Sequence, residues 1–236
     1  MPTILFADPH ILGETIGGAE VQLWMLAGGF VNAWWEVHYL TSARLAEKKR
    51  NGVILHSMAG TETESFNSVF FAIIGSINPD VIYQRGRKSY TGLIGQYASE
   101  TSTPFIFSTS MDIDCRRFKE LRRIAGQKKS FLDMMRLVPY RFKQDQASLA
   151  GMKQATLVLA QSHLQQEMLN RNLSINSIVI RNLHPIIDEE SIIKDTPKLV
   201  LWLASVKQWK RPELFIELAR SFEDYNCKFI LAGRMA

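Results

Sequence analysis

Short apolar runs alternate along this chain with segments of helical period, and that alternation restricts the fold more than any other feature. The strand candidates are Thr3 to Ala7, Glu36 to Thr41, Gly52 to Ser57, Asp80 to Gln84, Pro104 to Ser108, Thr156 to Ala160 and Ser177 to Ile180. Several are near-continuous hydrophobics, as strands covered on both faces are. Between them, helical patterns run near Ala19 to Asn32, Glu64 to Ile77, Thr91 to Glu100, Phe131 to Lys153 and Leu164 to Asn170. Strand and helix in alternation predict an α/β fold, a doubly wound, largely parallel, Rossmann-like sheet, over residues 1–182. Residues 183–197 hold two prolines and an Asp-Glu-Glu cluster without periodicity, and read as an interdomain linker. Residues 198–236 open a second α/β domain: strand Lys198 to Ser205, helix Leu214 to Arg220, strand Lys228 to Gly233. Two strands and one helix cannot cover both faces of a parallel sheet, so this second domain is expected to be incomplete in the chain.

Composition excludes several classes. At 46% apolar and 22% charged residues the chain has the balance of a globular protein. Cys115 and Cys227 stand far apart with no CxxC spacing, so neither a disulfide framework nor a zinc ribbon is expected, and no metal site is assigned. The N-terminus meets Asp8 before a signal-length apolar run develops, and no stretch approaches the roughly 20 apolar residues of a membrane span. A cytoplasmic protein is expected.

The loop after the first strand reads Gly13-Glu-Thr-Ile-Gly17-Gly18-Ala19-Glu20 and leads into an apolar helix through Val21, Leu23, Trp24 and Leu26. Paired glycines at a strand-to-helix turn let backbone amides approach an anion where the helix dipole favours it, so phosphate is the expected guest. A tight turn with no ligand explains the same pair. The spacing is not GxGxxG, and no acid stands at Thr41 or Ser42 to hold a ribose, which disfavours a nicotinamide cofactor.

Taken together, Gly17-Gly18-Ala19-Glu20 and Glu36-Val-His-Tyr-Leu-Thr41 resemble the start of the family 4 glycosyltransferases, two-domain enzymes of the GT-B fold. Further matches follow in the family's order: Pro79-Asp-Val-Ile-Tyr-Gln-Arg85 is similar to its central strand, Ala155 to Ser162 to a later one, and Ile178-Val-Ile-Arg-Asn182 to the segment before the hinge. Lys210-Arg-Pro-Glu213 with Leu214 to Ala219 resembles the opening of its second domain. The resemblance implies transfer of a sugar from a nucleotide-sugar donor to a polysaccharide or lipid-linked acceptor with retention, without a cofactor or metal. It implies that Gly17, Gly18, Lys210 and Arg211 serve the donor diphosphate in the interdomain cleft and that Asn182 marks the hinge. A prepositioned ammonium would stabilise the negative charge that develops on the departing phosphate. On residue types alone, Lys210 and Arg211 also read as a solvated pair ahead of Pro212 at the first helical position.

The chain departs from the pattern in places. Ala204-Ser205 stands where the family carries Gly-Arg, and Trp34-Trp35 where it carries Gly-His, which removes the glycine from a left-handed helix terminus. The acceptor-side histidine is missing after the fifth strand, and Asp112 is the polar candidate at that strand end; it also reads as a helix cap. The family's Glu-x7-Glu element is not in the chain. A non-catalytic homologue acting as an acceptor- or membrane-binding module is therefore the alternative, with a nucleotide-sugar epimerase of the same architecture third.

Charge is concentrated in one segment. From Arg116 to Lys143 there are ten Lys or Arg (among them Arg116, Arg117, Lys119, Arg122, Arg123, Lys128 and Lys129) against Glu120 and Asp133, while the whole chain carries only +5. Phe118, Leu121, Leu132, Met135, Tyr140 and Phe142 are interleaved with them. A basic, aromatic, amphipathic stretch reads as a surface for anionic lipid, which would place the protein at the inner face of the membrane. A solvated cationic face is the competing reading. Nucleic acid is not expected, because no binding motif accompanies the charge.

Overall fold

A computed structural model describes residues 1–13, 17–61, 65–125, 130–186, 188 and 198–234. The chain divides into two compact units, Met1–Leu183 and His184–Ala236. In the first unit the order is β1 (Thr3–Ala7), α1 (Gly18–Asn32), β2 (Glu36–Thr41), β3 (Lys49–Arg50), β4 (Val53–Ser57), α2 (Phe66–Ile77), β5 (Val81–Arg85), α3 (Thr91–Thr101) and β6 (Phe105–Ser108). A 3₁₀ turn at Asp112–Cys115 follows, then α4 (Lys119–Ala125), α5 (Phe131–Lys153), β7 (Leu157–Ala160), α6 (His163–Leu173) and β8 (Ile178–Val179). The eight strands form one sheet in the order β3-β4-β2-β1-β5-β6-β7-β8. All neighbours are parallel except β3 and β4, which form a hairpin across Asn51 and Gly52. Both turn residues have positive φ, 49° and 85°, the conformation that lets two-residue turns match strand twist.

Alternation along the strands builds two cores. Ile4 and Phe6 face α1 with Tyr39, Leu55, Leu23 and Ala27. Leu5 and Ala7 point to the opposite face, where Ile82, Phe105 and Phe107 meet Phe70, Ile94, Met152 and Leu169 from four further helices. A sheet wound on both faces by right-handed crossovers must reverse direction somewhere, and here the reversal lies between β1 and β5.

The second unit contains β9 (Lys198–Leu203), α7 (Pro212–Arg220) and β10 (Cys227–Ala232), with β9 and β10 paired in parallel. The linker expected over 183–197 lies mostly outside the described residues.

Trp34 holds the left-handed position at the end of α1, with φ 63° and 81% of its surface exposed. An L side chain there strains the backbone, and the exposed indole returns little packing energy. Trp34→Gly is expected to raise stability by about 0.5–1 kcal/mol, read as a higher urea midpoint; an unchanged or lower midpoint would show that the ring contributes more than the strain costs.

Candidate functional site

In open α/β sheets ligands bind beyond the carboxyl ends of the strands where the order reverses. At that point β1 runs into Asp8 and β5 into Arg85-Gly86-Arg87-Lys88. Asp8 is fully buried. Its Oδ1 accepts a hydrogen bond from the His10 amide at 3.0 Å, and its Oδ2 stands 3.1 Å from the Lys88 ammonium. Burial pushes the Asp8 carboxyl up from the ordinary carboxylate range, Lys88 pulls it back, and nearby Glu20 adds to the rise. The Tyr39 hydroxyl donates to the His10 carbonyl at 2.9 Å, and the Tyr90 hydroxyl is buried; both phenols are pushed up by burial and by the Asp8 charge. Among the described residues, the buried side-chain atoms without a hydrogen-bond partner are both amide atoms of Gln84, Arg85 Nε and Tyr90 Oη at this end of the sheet and Arg141 Nε and Ser177 Oγ elsewhere, while Asp8 Oδ2 has only the Lys88 ammonium beside it. Buried polar groups normally find partners, so their concentration around one end of the sheet distinguishes it from the cores below.

Gly86, at φ 70°, turns the chain so that Arg87 enters the protein; a Cβ there would meet Ser110. The Arg87 guanidinium donates to Ser148 Oγ (Nη2, 2.8 Å) and to the carbonyls of Arg116 (2.6 Å) and Asp145 (3.0 Å). The Asp145 carboxylate accepts from the amides of Glu120 and Leu121 at 2.9 and 3.1 Å, capping α4. Arg87 therefore ties the end of β5 to α4 and α5, and Lys88 is the cation left beside Asp8.

The residues expected from sequence are distributed over several places. Gly18 opens α1 with space around it, whereas a Cβ on Gly17, whose backbone is extended, would strike the Glu20 carboxylate. That carboxylate stands beside the glycine that a phosphate was expected to approach. Asp112 is exposed in the 3₁₀ turn and its Oδ1 accepts from Gln165 Nε2 of α6 at 2.9 Å; no hydrogen bond or ion pair among the described residues joins it to Asp8 or Lys88. Asn182 Oδ1 accepts from Arg85 Nη2 at 2.7 Å, and the next residue, Leu183, exchanges two hydrogen bonds of 2.7 Å with the Gln22 side chain. The end of the first unit is thus fastened to β5 and α1. In the second unit Lys210 is exposed on the 3₁₀ turn Gln208–Lys210; Arg211, at φ 53°, pairs with Glu213 in the first turn of α7.

Of the basic residues assigned to a lipid surface, Arg116, Arg117, Arg122 and Arg123 are exposed. Lys119 is a correction: it is buried, donating to Asp114 Oδ1 at 2.8 Å and to the Arg87 carbonyl, because a buried carboxylate there needs a cation. Lys128 and Lys129 lie outside the described residues. No group of three or more His, Cys, Asp or Glu among the described residues could hold a metal ion, and no helix among them is long and apolar enough to cross a membrane.

Asp8, Arg85 and Lys88 were not singled out from sequence. The available signal was Gln-Arg-Gly-Arg-Lys directly after an apolar strand, charge where a buried strand leaves the sheet.

No protein-family model matches the chain, and no curated protein matches its sequence. Solved structures match its fold. Sucrose-phosphate synthase from Thermosynechococcus elongatus aligns with 99% of this chain and 62% of its own at 13% identity and a TM-score of 0.58. Phytolacca americana UGT2, complexed with UDP-2fluoro-glucose and pterostilbene, aligns with 99% of this chain and 72% of its own at 10% identity and a TM-score of 0.54. The S. aureus MnaA-UDP co-structure aligns with 99% and 62% at 12% identity, also with a TM-score of 0.54. The chain thus spans less than two thirds of the length of the first and third. At these identities the likeness establishes the fold, the Rossmann-like α/β sheet of GT-B proteins.

Proposed function

We propose that this chain belongs to a glycosyltransferase that moves a sugar from a nucleotide-sugar donor to a polysaccharide or lipid-linked acceptor with retention of configuration. The observation that carries the reading is the buried Asp8 carboxylate beside Lys88 at the switch point, in a fold shared with structures that hold UDP or a UDP-sugar analogue. Asp8 is buried out of reach of a ligand, so its part is to hold the partly exposed Lys88 ammonium at the carboxyl end of the sheet, where an acceptor can meet it. In this scheme the first unit presents the acceptor, with Lys88, held by Asp8, as the polar group at the switch point in place of Asp112. Lys210 supplies positive charge to the leaving diphosphate.

The test is release of nucleoside diphosphate from a panel of nucleotide-sugars, with and without glycan and lipid-linked acceptors, by the full-length protein. Acceptor-dependent release with the anomeric configuration kept is the expected result. Lys210→Ala is expected to lower turnover by about 10²-fold through loss of a fixed cation, and Lys207→Ala by much less. Equal, small losses at both positions would make Lys210 a solvated surface residue. Conversion of the nucleotide-sugar without transfer would favour an epimerase, and inertness toward every donor the binding module.

A further inference from the structure

We propose that the outward face of α5 docks on an anionic lipid bilayer. From Leu132 to Lys143 no residue of this helix is buried, although the same helix is buried further on at Asp145, Ser148 and Met152. Its first three turns therefore lie along the surface of the first unit. Leu132, Met135 and Phe142, with Pro139 between them, recur at spacings of three and four and form one stripe of the helix. Leu132 and Met135 are 71% and 61% exposed, large apolar side chains that water does not favour, and Phe142, 44% exposed, also stacks on Phe118 with ring centroids 6.0 Å apart. Arg136 and Lys143, both exposed, fall on the adjoining stripe. A helix that sets an apolar stripe beside a basic one over about three turns has the layout of a helix lying in the plane of a bilayer, its apolar side among acyl chains and its cations at the headgroups.

Neighbouring α4 adds Arg122 and Arg123, both exposed. Part of the basic run is already engaged within the protein. Lys119 is buried against Asp114, Arg123 pairs with Glu120 at 3.2 Å, and Arg141 lies over the Tyr140 ring, 3.6 Å from Glu120. The charge that remains outward is what an anionic surface attracts, and the exposed Leu and Met distinguish a bilayer from a polyphosphate partner, which offers nothing for them to enter. Lipid binding does not require the proposed transfer activity and is measured without it.

The full chain is sedimented with vesicles of phosphatidylcholine mixed with phosphatidylglycerol, and with phosphatidylcholine alone. Binding to the mixed vesicles at low salt, and little to the neutral ones, is the expected result. Arg122→Gln, Arg123→Gln, Arg136→Gln and Lys143→Gln combined should weaken it by about 10²-fold or more, since each cation near the surface contributes roughly fivefold. Leu132→Ser with Met135→Ser should weaken it by about tenfold or more and make the remainder labile at about 1 M salt, where the Debye length is only about 3 Å. Both sets replace exposed side chains, and unchanged circular dichroism confirms the fold. The proposal fails if the wild-type chain ignores anionic vesicles, or if the four-fold variant binds them like wild type. It also fails if the stripe mediates self-association in place of vesicle binding, or if nucleic acid competes the protein off the vesicles and binds it more tightly.

Discussion

Gly151→Val is expected to lower the stability of the first unit by about 3 kcal/mol or more, seen as an earlier urea transition of its near-ultraviolet signal. Helices α3 and α5 approach closely through Gly92, Gly95 and Gly151. A Cβ on Gly95 would lie 2.5 Å from the Gly151 Cα, and one on Gly92 would lie 2.9 Å from the Ala147 carbonyl oxygen. A Cβ on Gly151 would run into the Thr91 carbonyl. The obstacle is backbone, which cannot rotate away as a side chain does, so the helices must separate and loosen Ile94, Tyr97 and Met152 in the core beneath. Thr91 opens α3 three residues after Lys88, so the displacement should reach the switch point as well. Gly28→Ala and Gly29→Ala are the controls. Nothing lies within 4 Å of a Cβ at either position of α1, and each should gain about 0.5–1 kcal/mol from helix propensity. A Gly151 variant that unfolds with wild type would mean that the helices stand further apart.

The sheet was legible because its signal is local and repeated. Strands such as Thr3–Ala7 and Glu36–Thr41 are apolar runs between helix-period segments, and the structure forms them with those limits. The elements missed were those whose stability comes from partners distant in sequence. Helix α4 has seven residues, too few for a period to be read, and its N-terminus is capped by Asp145 from α5. β3 is only two residues long, although the Asn51-Gly52 pair beside it is a hairpin signal that composition and period do not weigh. The site was legible only in outline. A glycine pair and a basic motif stand out in a linear reading, whereas Asp8 and Lys88 are eighty positions apart and become a pair only when β1 and β5 lie side by side. The basic run shows the same limit from the other direction, since charge counting treats Lys119 and Arg122 alike and only burial separates them.

Two of the buried acids of the first unit, Asp114 and Asp8, should respond oppositely to neutralisation. Asp114 is fully buried and accepts hydrogen bonds from the amides of Arg87, Ser110 and Met111, from Ser110 Oγ and from the Lys119 ammonium. Burial alone would raise its pKa; the Lys119 charge and these donors outweigh it and hold the carboxyl below the ordinary range. A depressed native pKa means stability that is present above the unfolded-state pKa and lost as pH falls through the native one. Asp114→Asn leaves Lys119 buried beside a neutral group and should cost about 3–5 kcal/mol at pH 7, a loss that shrinks in acid as the wild-type carboxylate itself protonates. Asp8 has the reverse sign. Its raised native pKa means that folding favours the protonated form, so its contribution is present below the unfolded-state pKa and lost as pH rises through the native value. At neutral pH its ionised form is carried at a cost, and Asp8→Asn should leave the urea midpoint unchanged or raise it while lowering the sugar transfer proposed for this protein. Residues that burden the fold and serve the reaction show this combination. If Asp8→Asn instead destabilises as strongly as Asp114→Asn, the switch-point carboxylate is a structural group, and the proposed part of the Asp8–Lys88 pair in transfer is wrong.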